Sequence, residues 1–271
     1  MKKSGFLAMA LSLLAGGCCT SQIKLEKLPD QKEVVLWHGY KRHDFVFEGH
    51  KAFIVEPECP AGDGRWSWCA IWPEAFVERV GITELLKNGY YHAHIDVLST
   101  AASPAGVAVM KRFHDYLVSL GLTPKVNLIG MSWGGFFSLR YAETYPGDVA
   151  AIYLGAPVCN AADPDAFAQK SRCVTMRREF QLTQEEFETS LLNPINNLAP
   201  VAEAKIPVLA LTGEDDLAVR VATNINLVVE RLKSLGYPIE VIRRPMWGHH
   251  PHGMDDVTKI VKFHQDARDK R

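Results

Sequence analysis

The 271-residue sequence predicts an α/β protein. It should form an open, mostly parallel sheet with helices on both faces and a small helical cap inserted at about residues 160–200. Three observations carry this expectation. From about residue 75 onward, short apolar segments bounded by turn residues alternate with longer amphipathic ones, the pattern of βαβ units. Before residue 75, strand-like runs follow one another without helices, so an antiparallel front precedes the parallel part. One strand–helix junction carries Gly130-Met131-Ser132-Trp133-Gly134, which places a serine at a sharp turn at the end of a strand.

The chain opens with Met1-Lys2-Lys3, a short basic region. The apolar run Phe6 to Ala15 is too short to span a bilayer, and Gly16-Gly17-Cys18 follows. Residues 1–18 therefore read as an export signal with a lipoprotein box, in which Cys18 carries the lipid; ordinary secretion and a retained helix are the alternatives. Residues 19–31 are polar and aperiodic and read as a tether, which leaves 32–271 for the domain. Export permits disulfides. Cys59–Cys69 and Cys159–Cys173 are the pairs considered, against buried thiols.

Within the domain, Val34–Trp37, Asp44–Phe47 and Lys51–Val55 read as strands, the last two joined at Glu48-Gly49-His50. Arg65–Trp72 is an aromatic-rich strand and Ala75–Lys87 a helix. Tyr90–Val97 is the next strand; His92 and His94 on it are expected to be structural. Ser103 as N-cap and Pro104 in the first turn open a helix closed by Gly121, with Met110, Phe113, Leu117 and Leu120 on one face. Val126–Ile129 leads into Ser132, and Gly135–Tyr145 forms the helix behind it. Val149–Leu154, Pro207–Thr212 and Ile239–Ile242 are further strands. Val221–Leu235 is helical, and Asp255-Asp256 open a terminal helix carrying Val257, Ile260, Val261 and Phe263.

Nearly half the residues are apolar (47%) and the formal charge is −1, so a sizeable core is available and no nucleic-acid partner is implied. The chemistry points elsewhere. A serine hydroxyl needs a base to take its proton, usually a histidine oriented by a carboxylate. On this architecture the chain order is Ser, acid, His. Gly213-Glu214-Asp215-Asp216-Leu217-Ala218-Val219 follows the penultimate strand and selects Asp216, ahead of Asp215 and Glu214. Trp247-Gly248-His249-His250-Pro251-His252-Gly253 follows the last strand and selects His249 as base, ahead of His250, with His252 behind it. A catalytic metal is not expected. No second ligand cluster stands at motif spacing, and this proline-containing loop is not a helix presenting ligands on one face. No cofactor is expected.

The oxyanion hole should combine the backbone N–H of Trp133 with one near Cys69 or Ala70. Trp66, Trp68, Trp72 and Trp133 gather around these positions. Core packing is expected for at least two of them, and a carbohydrate-facing wall is the functional alternative; His250 joins Trp66, Trp68 and Trp72 as a substrate-binding candidate. Arg177, Arg178 and Arg244 are weighed as contacts for an acidic sugar.

With these residues in place, the chain resembles the α/β-hydrolase superfamily. More narrowly it resembles exported bacterial carbohydrate esterases of the acetylesterase and pectin methylesterase type. The resemblance rests on Arg65-Trp66-Ser67-Trp68, Gly130 to Gly135, Ala156-Pro157-Val158-Cys159, Asn193 to Pro200 and Gly248 to Gly253. It departs at Cys69, where arginine is expected, and over Gly155 to Asn160, where acidic residues are expected. The resemblance implies the α/β-hydrolase fold and an acyl-enzyme mechanism on a small ester of a glycan. The competing readings are a peptidase or dienelactone-type hydrolase and a non-catalytic glycan-binding lipoprotein.

Overall fold

The computed structural model describes residues 23–163, 175–176 and 178–269. The segment 1–18 read as an export signal, with Cys18, and also Cys19, Cys173 and Arg177, lie outside these residues. Nine strands among the described residues form one sheet, in the order β1-β2-β3-β5-β4-β6-β7-β8-β9. The strands are β1 (Val34–Trp37), β2 (Tyr40–Phe47), β3 (His50–Glu56), β4 (Trp66–Cys69), β5 (Tyr91–Ile95), β6 (Val126–Met131), β7 (Val149–Gly155), β8 (Val208–Gly213) and β9 (Glu240–Arg244).

β1, β2 and β3 are successive antiparallel neighbours, and β3 is antiparallel to β5. Every pairing from β5 across to β9 is parallel. The two front hairpins turn on His38-Gly39 and Glu48-Gly49, all four with positive φ, as two-residue type I′ turns require.

Alternation along the strands sorts the core onto two faces. On one, Trp66, Trp68 and Leu128 pack with Phe113 and Leu117 of α2 (Pro104–Leu120), Phe136 and Leu139 of α3 (Trp133–Thr144) and neighbouring apolar residues. On the other, Cys69, Ile129 and Met131 pack with Ile82 and Leu85 of α1 (Ile82–Lys87) and Ile260 of the C-terminal helix Thr258–Asp269. α2 forms for the reasons legible in its ends: Ser103 Oγ accepts the Gly106 N–H at 3.3 Å, Pro104 occupies the first turn, and Gly121 closes it at φ +119°. Met110, Phe113, Leu117 and Leu120 are all buried, each worth roughly 1.5–3 kcal/mol of transfer free energy.

Three expectations change. The helix read from Ala75 begins only at Ile82, because Phe76 takes a left-handed φ of +54° and Gly81 one of +82°. The helix read from Val221 begins at Ile225, because the backbone of Asn224 is not helical (φ −122°, ψ −94°). From Ile23 the tether packs on the domain: Ile23, Leu25 and Leu28 are buried and the Lys24 N–H donates to Leu120 O. Within the segment read as a cap, residues 164–174 and 177 are not described. Gln184–Thr189 forms a short helix opened by a capping box between Thr183 and Glu186. Among the described residues no helix is long and apolar enough to cross a membrane.

Candidate active site

Ser132 stands between the end of β6 and the start of α3 with φ +49° and ψ −121°, values that glycine favours and other residues rarely adopt. Its backbone is held there from both sides: Ser132 N–H donates to Gly155 O at 2.9 Å, and its carbonyl accepts from Gly135 N–H and Val158 N–H. The crowding that demands glycine falls on Gly130 and Gly135. A Cβ on Gly130 would lie 2.7 Å from Gly134 O, and one on Gly135 only 2.4 Å from Pro157 Cβ. Gly134, the other glycine of the pentapeptide, has ordinary room, its nearest neighbour being Ile71 O at 3.6 Å.

The two partner loops are pressed together behind the serine. A Cβ on Gly213 would sit 2.2 Å from Trp247 O, and Asp215 N–H donates to that same carbonyl at 2.9 Å. This contact carries Asp216 against His249. Asp216 Oδ2 lies 2.7 Å from His249 Nδ1, and His249 Nε2 lies 3.1 Å from Ser132 Oγ. An ionised carboxylate only accepts, so Nδ1 carries the proton and Nε2 is left to accept from the serine hydroxyl. Asp216 Oδ1 accepts the N–H groups of Ala218 and Val219 at 2.9 and 2.8 Å. Burial pushes the Asp216 carboxyl up, but the hydrogen bond from His249 and those from the loop outweigh it, and its pKa ends below the ordinary value. Asp216 is 4% exposed, whereas Asp215 and Glu214 face solvent, Glu214 beside Arg243. Of the three acids, only Asp216 meets the histidine.

Above this relay opens a cavity of about 380 Å³, lined in part by Trp72, Phe76, Trp133, Val219, His249 and His250. A second cavity of about 650 Å³ shares Trp72 and Trp133 with it and reaches Lys51, Asp96 and Leu98. Trp72 and His250 thus lie where the sequence places them, at the site. Trp66 and Trp68 do not. Both are fully buried and stacked on each other at 5.9 Å, with Trp66 Nε1 donating to Thr123 O, so they are core residues of β4. Strand alternation explains this: two residues apart, Trp66 and Trp68 share the face of β4 that packs against α2 and α3.

Cys69 is also withdrawn. Its thiol donates to Ile71 O at 3.1 Å, its carbonyl accepts from His94 Nδ1, and burial pushes its pKa up to about 12. Cys69 is not among the residues lining the cavity; the loop after β4 reaches it at Trp72, where φ turns to +65°. Cys59 is exposed and not bridged to buried Cys69; Cys159 is also buried, and its proposed mate Cys173 is not described. His92 and His94 are buried in β5, and burial together with the neighbouring His94 lowers His92 to about 3, in keeping with a structural part. Arg244 donates to the carbonyls of Pro251 and Gly253 and lies 3.7 Å over Trp247, so it braces the His249 loop; Arg178 donates to Ser99 O and pairs with Glu179.

Sequence reasoning missed a polar strut under the cavity. Asn224 Oδ1 accepts the N–H groups of Cys159 and Asn160, and its Nδ2 donates to Asp163 Oδ2 at 2.9 Å. Asn193, fully buried, donates to Asn160 Oδ1 and accepts from Ala161 N–H. Side-chain amides far apart in sequence tie the loop after β7 in place, and no local pattern signals such a bond. Phe76 was hidden for another reason: its left-handed backbone breaks a stretch whose apolar spacing is helical.

Fold and site together define a chain of α/β-hydrolase fold with a hydrogen-bonded Ser–His–Asp relay at the carboxyl ends of its parallel strands. A family model described as the alpha/beta hydrolase fold matches residues 63–176. Among solved structures, the chain is similar to an S-formylglutathione hydrolase from Agrobacterium tumefaciens at 12% identity and a TM-score of 0.61, over 89% of this chain and 98% of that one. It is similar to a bifunctional GH43-CE protein of Bacteroides eggerthii at 16% identity and a TM-score of 0.61, over 82% and 36%. It is also similar to dipeptidyl peptidase 4 of Porphyromonas gingivalis at 16% identity and a TM-score of 0.56, over 81% and 33%. This chain therefore spans about a third of that peptidase's length. No curated protein matches the sequence.

Proposed function

We propose that the protein is a serine esterase that removes a small acyl or methyl-ester group from a carbohydrate. The observation that carries the hydrolytic part is the relay, 2.7 Å from Asp216 to His249 and 3.1 Å from His249 to Ser132, at the floor of a cavity. In this reading Ser132 Oγ attacks the ester carbonyl carbon while His249 Nε2 takes its proton. The tetrahedral oxyanion is held by the Trp133 N–H at the start of α3, aided by the positive end of that helix, and by a second N–H from the Trp72 end of the loop after β4. Collapse breaks the bond to the alcohol, which leaves with the proton from His249. Water, deprotonated by the same histidine, then frees Ser132 and releases the acid. Asp216 keeps Nδ1 protonated throughout.

Support for a compact ester comes from the cavity at Ser132, whose walls include Phe76, Val158 and Val219. Support for a sugar comes from Trp72 and Trp133, which line both that cavity and the larger one beside it; the latter offers polar Lys51 and Asp96 to a leaving group. The leader read in residues 1–18 belongs to the same proposal and would make the enzyme a periplasmic or outer-membrane-anchored lipoprotein, or a secreted protein, exported toward polysaccharide. A peptidase is the second reading, favoured by the likeness to the peptidase fold over four-fifths of this chain. Purified protein assayed on p-nitrophenyl acetate, acetylated xylan, methylated pectin and dipeptide amides separates the two. Ser132→Ala should abolish ester hydrolysis and fluorophosphonate labelling with the fold intact; retained activity rules out Ser132 as nucleophile, and turnover of the peptides alone rules out the esterase.

A further inference from the structure

The loop after β9 brings three imidazoles to one point. The ring centroids of His249, His250 and His252 lie 4.7, 4.8 and 4.9 Å apart pairwise, with interplanar angles of 71°, 79° and 90°. One ring nitrogen from each falls within 4.8 Å of the other two. Only His249 has its ring occupied by the relay. His252 is 4% exposed, and its buried Nδ1 has no hydrogen-bond partner. An orphaned buried ring nitrogen costs free energy, which a ligand bound at that nitrogen would relieve.

The loop that bears these rings is braced. Arg79 Nε donates to His252 O, Met254 N–H donates to Arg79 O, and Arg244 holds Pro251 O and Gly253 O. Phe76 packs against both outer rings, stacked on His250 and edge-on to His252. By contrast, the other grouping of potential ligands among the described residues, His114 with Asp115 and Asp148, is already neutralised by Lys111.

We infer that His249, His250 and His252 form a binding site for a divalent transition-metal ion of the zinc class, and that the bound ion withdraws His249 from Ser132. Neutral imidazoles suit zinc, copper and nickel far better than magnesium or calcium. Zinc binds imidazole nitrogen at about 2.0–2.1 Å, which puts ligand nitrogens about 3.3 Å apart in a tetrahedron. From a spacing within 4.8 Å the three ligand nitrogens would close by at most about 1.5 Å, which needs rotation of the exposed His250 together with small shifts of His249 and His252. His249 must use Nε2, because Asp216 holds Nδ1. That pairing is the outer-shell carboxylate–histidine arrangement that orients metal-bound imidazoles. The Nε2 lone pair cannot bind an ion and accept the Ser132 proton together, so occupation and proton relay exclude each other. The fourth position faces the open cavity and takes water. The site itself stands on the loop geometry; only its inhibitory consequence rests on the esterase reading.

Zinc titrated into metal-free protein by calorimetry should bind at one equivalent, and cobalt(II) in its place should give the visible bands of a tetrahedral centre. His250→Ala and His252→Gln should each weaken zinc at least as much as loss of an outer-shell partner does, about 10–100-fold. Zinc should slow fluorophosphonate labelling of Ser132, with recovery on adding EDTA. No binding by the intact protein overturns the inference, as does unchanged zinc affinity in either variant. If His252→Gln does not fold, the exposed His250→Ala decides alone. Zinc binding without any ester hydrolysis leaves the site standing and removes the esterase.

Discussion

Replacing Asp216 with asparagine tests the relay at its most informative atom. The carboxylate uses both oxygens: Oδ1 accepts two loop N–H groups at 2.9 and 2.8 Å, and Oδ2 accepts from His249. Asparagine has one acceptor. If its oxygen turned toward His249, its NH₂ would confront two backbone donors, and each N–H so stranded costs about 1–3 kcal/mol. The oxygen therefore stays with the loop and the NH₂ faces His249 Nδ1. That nitrogen must then accept, which moves the ring proton to Nε2. Nε2 now donates toward Ser132 Oγ instead of taking its proton. The tautomer is wrong although no atom has moved far. The same change in an unrelated serine protease lowers kcat about 10⁴-fold, equivalent to roughly 5.5 kcal/mol of barrier, and the same magnitude is expected here. The assay is kcat on p-nitrophenyl acetate, with thermal melting as the control for folding and nitrogen-15 NMR of the imidazole to read the tautomer. A folded Asp216→Asn within tenfold of the parent, or a larger loss from Asp215→Asn, would refute the assignment.

Three further outcomes follow from the same geometry. Trp66→Ala should cost roughly 3–5 kcal/mol of stability with little change in KM, because it empties core space. Trp72→Ala should leave the melting temperature near the parent's and raise KM for a glycan ester; the reverse pattern would return Trp66 to the site. Glu143 is fully buried on α3 with neither carboxylate oxygen hydrogen-bonded. Burial raises its pKa well above the ordinary value, only partly opposed by Arg140 at 3.6 Å. An acid whose pKa is raised by folding keeps its proton in the native state where the unfolded chain has lost it, so stability falls as pH climbs above the unfolded value of about 4.3. Glu143→Gln should flatten that decline, and parallel stability–pH curves for the two proteins would contradict it.

The parts of this molecule that are written locally could be read from the sequence. Ser103, Pro104 and Gly121 mark the ends of α2 because caps act within a turn. Ser132, Asp216 and His249 could be placed because each stands in the connection that follows a strand, in the chain order this architecture imposes. The misreadings share a cause. Trp66 and Trp68 are aromatic and precede the loop after β4, which fits a sugar-binding wall as well as the core packing expected for at least two of the tryptophans; which way a strand residue points depends on register with neighbours distant in sequence. Phe76 falls in a stretch that reads as helix, because apolar spacing does not register a left-handed φ. Asn193 stands in a stretch that carries the family resemblance, but the part its amide plays, like that of Asn224, is not legible there, since a buried amide is valuable only once its partners have been brought to it. The orphaned nitrogen of His252 is likewise a fact of burial, invisible until the loop is closed.

The backbone of Ser132 has a consequence for variants that lack the hydroxyl. In the interiors of helices and strands alanine is more stabilising than glycine, because glycine gives up more conformational freedom on folding. At φ +49° and ψ −121° that ranking should invert. A Cβ there is held in a conformation costing on the order of 1–3 kcal/mol, which glycine does not incur. Ser132→Gly should therefore melt above Ser132→Ala, with both inactive, and the opposite order would show the turn to be relaxed. If the inversion holds, the residue that would do the chemistry is also one the fold would discard if stability alone were selected. Loss of activity would then let the scaffold drift toward a more durable, silent protein.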